Sequence, residues 1–568
     1  MKKLGNKFLL AACLFLTLGC VASCRPTEDD DNTLTVFRWD FAAVDSARKQ
    51  KTPIYQEIKR NTDVDIRVVT SGSGTWEEVL NRKFNTGDLP DIFISYAMDR
   101  PTSFRKWIED GAVLAISDYV NESTKNEYPK LYERIQNYKY IGERLSYAKG
   151  KTYALPVEKT LEHGMFIRTD WIRNLNEPAK LTMILTEELG RAPFDHELES
   201  MRFKIPTTLI EFYRLTRAFS KYDPDGNGRN DTYGYTCSEF NMWFNNWIFE
   251  AMSSADIHDS TYWGYVEDGT GNLTSSWITE GNKKAVAFLN KLYAESILDP
   301  DYIATTTDEK ITKFVQGKVG IMVGNIWYNT ILQKFVDANS VSKEQAKQDF
   351  TVIAPPAGPN GVFGMRGNPG FWCSVCINGQ LSNHKRKLAL GLMEYLYSDA
   401  ADELFTWGIE GVHYELDGDK KVSLMGVDKS GYNYTIESYD AAFALSSLSK
   451  WSYSYYSPYQ SNYEDIYQFM ENASAYEKID PVMYVQTPLY VERDTIIANS
   501  SLEQFVNFIK DSSCYDSSSK QVGVTWGDLY KYNATYNQKW DAFLNLFNNT
   551  WGGAEMVAEY NETAKQYL

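Results

Sequence analysis

Basic clusters, paired histidines, dense cysteine and membrane-length apolar runs are all missing from this sequence. The 58 Lys and Arg residues face 75 Asp and Glu, for a formal net charge of −17, and the basic residues nowhere gather into a stripe. Nucleic acid is thereby excluded as a partner, because nothing is placed to neutralise phosphates. The same acidity disfavours a strongly anionic solute, although a local basic pocket overrides a global charge. The five histidines, His163, His196, His258, His384 and His413, stand singly. No HExxH and no GxSxG occurs, and Gly150-Lys-Thr152 has only the tail of a phosphate loop, since Leu145 holds the place of its first glycine. No repeat of about 20–50 residues is visible, which excludes solenoids and propellers.

Cysteine is sparse, seven in 568 residues. Cys237, Cys373, Cys376 and Cys514 lie outside the N-terminal segment, too few for a disulfide scaffold in a chain of this length. Cys373-Ser-Val-Cys376 has the spacing of a redox or metal pair. It sits in the strand-like run Phe371–Ile377, however, with no second pair and no His nearby, so buried or bridged structural cysteines are expected.

The first 24 residues read as an address. Lys2, Lys3 and Lys7 precede the apolar run Phe8–Gly19, which is too short for a comfortable membrane span and ends in small residues. Val21-Ala22-Ser23-Cys24 resembles a bacterial lipobox, which makes Cys24 the expected lipidated first residue of the mature chain and a stable membrane anchor. Residues 25–32, with four acids, read as a solvated tether.

The rest is too long for one hydrophobic core, so at least two lobes are expected. The load of 15 Trp, 39 Tyr and 28 Phe is heavy; most must pack cores, and a minority is available as stacking surface. Short apolar runs at Thr33–Phe37, Val64–Thr70 and Asp91–Ser95 alternate with helical patterns at Pro53–Asn61 and about Thr75–Asn85. This rhythm predicts a parallel sheet covered on both faces, with ligands bound beyond the C-terminal strand ends. A second α/β region begins after Leu155-Pro156, with helices over Thr207–Tyr222 and Glu280–Glu295 and a strand at Val319–Val323. Lys180–Lys204 reads as an inserted helical excursion, the last hundred residues as helices with loops, and Tyr453–Tyr463 as a Tyr-rich loop.

One local motif carries chemistry. Asp223-Pro-Asp225-Gly-Asn227-Gly228-Arg229-Asn-Asp231 places side-chain oxygens at loop positions 1, 3, 5 and 9, a backbone carbonyl (Arg229) at 7 and glycine at 6. Those are the first nine positions of a Ca²⁺ loop, and a structural Ca²⁺ is expected there. The pattern departs at position 12, where Gly234 replaces a bidentate Glu. Without metal the segment is a turn-rich cap on the preceding helix.

Several segments, in order, resemble the family 1 extracellular solute-binding proteins of bacterial ABC importers, in particular the long lipoprotein branch that includes the alginate-oligosaccharide binders. They are Asn85–Phe93, Gly150–Pro156, Phe166–Trp171, the Asp223–Gly234 loop, Phe314–Met322, Gly408–Tyr414 and the Trp540–Gly553 region. The resemblance runs from about residue 33 to the end. It implies an α/β, periplasmic-binding-protein-like type II fold with two lobes and a cleft. Lobe one is expected over 33–155 plus 325–400, and lobe two over 156–324 plus 401–568. It further implies no reaction, a carbohydrate solute, ABC permease subunits as partners, and a monomer. A secreted carbohydrate-active enzyme, a binder of peptide or another polar solute, and a subunit serving a sensor kinase are the alternatives.

The solute is expected against Trp327 and Trp372, with Tyr96, Arg366 and Trp243 contributing. Tyr96 follows a strand's C-terminal end. Trp327 follows Val319–Val323 by four residues, where family members often stack a ring on the ligand. Arg366 and Trp372 flank the glycine-bearing loop 367–370, and Trp243 comes soon after the metal loop.

Overall fold

The computed structural model describes residues 31–38, 42–70, 76–95, 101–139, 150–158, 163–238, 242–253, 265–267, 272–325, 328–366, 371–426, 436–450, 477–478, 485 and 487–564. The leader with Cys24, Tyr96, Trp327 and the Tyr-rich stretch 453–463 lie outside the described residues.

Strands among the described residues are β1 (Thr33–Phe37), β2 (Asp65–Val69), β3 (Ile92–Ser95), β4 (Leu155–Glu158), β5 (His163–Arg168), β6 (Tyr233–Thr236), β7 (Tyr265–Glu267), β8 (Leu273–Ser275), β9 (Val319–Asn325), β10 (Phe350–Ile353), β11 (Met365–Arg366), β12 (Phe371–Ile377), β13 (Tyr414–Asp417), β14 (Lys420–Ser423) and β15 (Glu477–Lys478). Two sheets organise the chain. The first has the order β2-β1-β3-β12-β4. β1 runs parallel to both β2 and β3, and β12 is antiparallel to β3 and β4. A late strand thus returns to a sheet built by the early βαβαβ unit. Alternate residues bury opposite faces. Leu34, Val36, Ile92 and Ile94 enter one core, and Phe37, Phe93 and Cys376 enter another. That double burial explains the unbroken apolar runs of these strands.

The second sheet has the order β10-β5-β9-β6, with β5 antiparallel to β9 and β10 and with β6 parallel to β9. It is likewise covered twice, by a core that takes Met165, Ile167, Ile321 and Val323 and by one that takes Phe166, Met322 and Phe350. The larger core holds the aromatic load: Trp171, Trp247 and Trp277 are buried. The Trp247 ring meets Phe212 edge-on at 5.0 Å. The helix Pro488–Lys510, capped by Thr487 on the Tyr490 N–H, adds Phe505 and Phe508 to the same core.

The cores divide the chain differently from the expected ranges. Residues 331–353 belong with the second sheet, because β10 pairs with β5 and Ile331, Leu332 and Phe335 pack on its outer face. Residues 401–448 belong with the first sheet, since Leu404, Phe405, Phe443 and Leu448 share the core of β1 and β3. Amphipathic helices carry no label for the sheet they cover, so only packing makes this allotment.

Cys373 lies with Val375 and Ile377 on one face of β12, and Cys376 lies on the other. Residues three apart on a strand point to opposite sides. Both are buried, as are Cys237 and Cys514, and their opposite facing points the two side chains of the pair into different cores.

Candidate functional site

Connectivity brings one edge of each sheet together. β4 ends at Glu158 and β5 begins at His163, so these ends are at most about 18 Å apart through an extended chain. β11, which pairs with β15 outside both sheets and buries Met365 in the larger core, ends at Arg366, and β12 begins at Phe371, a second link of the same length into the first sheet. In the first sheet Phe371 is the register partner of Glu158, and Ser374 of Ser95. The edge that meets the crossings therefore carries the C-terminal ends of β1, β3 and β4. In the second sheet His163 is the register partner of Asn325, so the C-terminal ends of β9 and, through the β6–β9 register, β6 lie at the facing edge. These are the strand ends beyond which α/β sheets bind ligands.

The five residues expected at the solute distribute as follows. Trp372 is in β12 beside Phe371, Arg366 ends β11, and Trp243 is the second residue of the helix Met242–Met252. Tyr96 and Trp327 lie outside the described residues, but Ser95 and Asn325, close before them in sequence, end β3 and β9 at the facing edges. Arg38 and Lys310 were missed in the sequence. Arg38 directly follows β1 and is 1% exposed. Lys310, equally buried, donates from Nζ to Ser238 Oγ at 3.1 Å, next to Gly324, where an added Cβ would lie 2.8 Å from the same Nζ. The signal for Arg38 was its position after an apolar strand. Lys310 sits inside the amphipathic helix Thr307–Val315, where a lysine reads as solvent-facing.

The acidic loop is fully described. It follows the helix Leu209–Lys221, and its turns use the left-handed backbone at Asp223, Gly226 and Gly228, with φ of 45°, 72° and 81°. Asp223 Oδ2 accepts the Gly228 N–H at 3.1 Å, Asn227 Oδ1 accepts the Arg229 N–H at 2.8 Å, and Asn227 Nδ2 donates to Asp225 Oδ2 at 2.8 Å and to Asp231 Oδ1 at 3.1 Å. The side chains of positions 1, 3, 5 and 9 thus turn inward on one another. Asp223 Oδ1 is buried with no hydrogen-bond donor. Burial, together with the adjoining Asp223 carboxyl, pushes the Asp225 acid up. Asp231 is held down, first by Asn227 and then by Lys318, whose ammonium lies at 3.1 Å. A buried oxygen without a donor beside a second, raised carboxyl fits a hard cation. Among the described residues no group of three His, Cys, Asp or Glu side chains converges for a metal; this loop offers Asn227 and the Arg229 carbonyl beside its carboxylates.

Position 12 has a steric cause. A Cβ on Gly234 would come within 2.3 Å of the Thr216 carbonyl oxygen, so the strand leaving the loop presses on its own helix and leaves no room for a glutamate. Thr232 is likewise committed elsewhere, donating from Oγ1 to the Phe219 carbonyl at 2.6 Å.

Two α/β sheets of this order, joined by short crossings, define a two-lobed, periplasmic-binding-protein-like fold of type II. The chain belongs to the bacterial extracellular solute-binding protein family, whose model matches residues 47–403. It is 23% identical over 585 residues to the polygalacturonan/rhamnogalacturonan-binding protein YtcQ of Bacillus subtilis, covering 99% of this chain and all of that one. Two solved structures share the fold. The alginate-binding protein AlgQ2, solved without calcium ion, superposes with a TM-score of 0.57 at 15% identity, over 94% of this chain and 98% of its own. An EF-hand mutant of the Streptococcus pneumoniae ABC-transporter substrate-binding protein FusA, in complex with fructo-nystose, does so at 0.56 and 16% identity, over 94% and 99%.

Proposed function

We propose that this chain is a lipid-anchored, extracytoplasmic receptor that captures an oligosaccharide between its lobes and hands it to the permease subunits of an ABC importer. The observation that carries the reading is the facing of strand edges across the short crossings, with aromatic residues expected at those edges. Closure there removes water from the solute and strengthens each hydrogen bond made to its hydroxyls. Aromatic rings suit the C–H faces of sugars, and polar side chains suit their edges. The full-length likeness to a polysaccharide-binding relative supports a carbohydrate solute. Cys24 is the proposed lipidation site, by its lipobox-like setting.

A structural Ca²⁺ held by Asp223, Asp225, Asn227, the Arg229 carbonyl and Asp231 belongs to the same reading. The buried, donorless oxygen of Asp223 supports it, as does the EF-hand named for FusA. The ion would fix the loop between the helix Leu209–Lys221 and β6; binding of solute does not pass through it.

The test is native mass spectrometry of the protein purified from its own cell envelope. A retained mass made of sugar residues is expected, and a retained peptide instead would overturn the carbohydrate reading.

A further inference from the structure

Three chain segments link the first sheet to the second lobe, one through β5 and two through the β11–β15 ribbon, whose Met365 packs in the larger core, and one side chain holds the roots of two of them. The first leaves β4 at Glu158, the second arrives at β12 from Arg366, and the third departs after Lys450 and reaches β15 at Glu477. Where they meet the first sheet they form a ribbon. Phe371 pairs with Glu158, and Glu158 bridges Lys450 in parallel, with the Glu158 N–H donating to the Ser449 carbonyl at 3.0 Å. Arg134, on the helix Pro129–Asn137, reaches into this ribbon. Its Nη2 donates to the Pro156 carbonyl at 3.0 Å and to the Ser449 carbonyl at 2.8 Å, and its Nη1 pairs with the Glu158 carboxylate. Its guanidinium plane lies 4.1 Å over the Tyr397 ring, and only 10% of the side chain is exposed.

We propose that Arg134 is the positioning residue of the hinge, a clamp that locks the first and third crossings together at their root and so sets where bending begins and how widely the lobes swing. The planar fork suits the task. It serves two carbonyls and a carboxylate on two segments at once, and the Tyr397 ring beneath it adds a cation–π contact. Hinges absorb large backbone changes in few residues. With Glu158 and Ser449 held, that change starts beyond the clamp and not within it. A receptor with a defined open state loses less freedom when it closes. Arg134 therefore acts on solute affinity without touching solute. The inference rests on the reading of a cleft that closes, not on the identity of the solute.

The test uses the full mature chain without any saccharide. Spin labels at Lys125→Cys in the first lobe and Met183→Cys in the second report the interlobe distance. The four remaining native cysteines are buried. Arg134→Gln is expected to widen the distance distribution about twofold and to speed amide exchange at Glu158 about tenfold, with β1 and β3 protected as before. Arg134→Lys should recover part of both, and Glu158→Gln, which leaves the carbonyl contacts, should show a smaller widening. An unchanged distance distribution in Arg134→Gln overturns the proposal, even if Glu158 exchanges faster. So does a loss of protection spread over the whole first sheet, which would make Arg134 a residue of the fold alone. Because no saccharide is present, failure here is separate from failure of the carbohydrate reading.

Discussion

Removal of calcium is the perturbation whose size follows most directly from the loop. A ligand that binds only the folded chain stabilises it by RT ln(1 + [L]/Kd), about 2.7 kcal/mol at a hundredfold excess over Kd. In a lobe of this size 1 kcal/mol moves the melting temperature by roughly 2–4 °C, so saturating Ca²⁺ should raise it by about 5–11 °C. Without metal, burial and the facing Asp223 carboxyl raise the Asp225 acid above its ordinary value. A raised folded-state value contributes stability that is present below the unfolded-state value and lost as pH rises through the folded one. The chelated protein therefore carries its handicap at neutral pH and sheds it on acidification, so the gap between the calcium and EDTA melting curves should be wide at pH 7 and narrow near pH 4. Differential scanning fluorimetry reads this, and Asp225→Ala should abolish the EDTA response. Curves that superimpose at pH 7 with EDTA and with added Ca²⁺ would refute the reasoning.

Gly234→Ala forces a Cβ against the Thr216 carbonyl at 2.3 Å and should cost about 1–3 kcal/mol in urea unfolding; a neutral result would show that the loop exit is not pressed on its helix. The division of the cores predicts that Phe443→Ala lowers hydrogen-exchange protection in β1 and β3, and Phe335→Ala in β5 and β9, each by about 3–5 kcal/mol; crossed effects would reverse the allotment. Trp327→Ala and Trp372→Ala, checked for folding by circular dichroism, should each weaken solute binding by about 1–3 kcal/mol, by analogy with stacking on bases, or roughly 5- to 150-fold. Unaltered affinity in both would move the cleft lining to other residues. Cys24→Ser should release the protein from the membrane fraction, and continued retention with unchanged cleavage would contradict the lipidation site.

Much of the fold was legible where strands are buried twice. β1, β3, β9 and β12 announce themselves as apolar runs, because both faces of their sheets are covered. β4, β6 and β10 do not. Leu155-Pro-Val-Glu158 contains a proline and a charge, Tyr233-Gly-Tyr-Thr236 has a glycine made necessary by Thr216, and Phe350–Ile353 is only four residues long. They are strands through their partners. The crossing at Leu155-Pro156 was readable as a break in pattern, but the one before Phe371 was not, the return being expected at 325, and neither was the return of residues 401–448 to the first sheet, since a helix face specifies burial and not its cover. The turn-rich acidic loop at 223–231 was legible by spacing alone. Its missing twelfth ligand found its cause only in three dimensions. Arg134 gave no sequence signal, because its acceptors lie 22 and 315 residues away.

The most direct test of the account is isothermal titration calorimetry of the mature chain with an oligosaccharide panel, neutral and uronic, with mass spectrometry of the saccharide recovered from each cell. Saturable one-to-one binding of at least one oligosaccharide, recovered at unchanged mass, is the predicted result. Heat from none of them, or recovery of shortened products, would contradict a receptor that captures sugar without reaction.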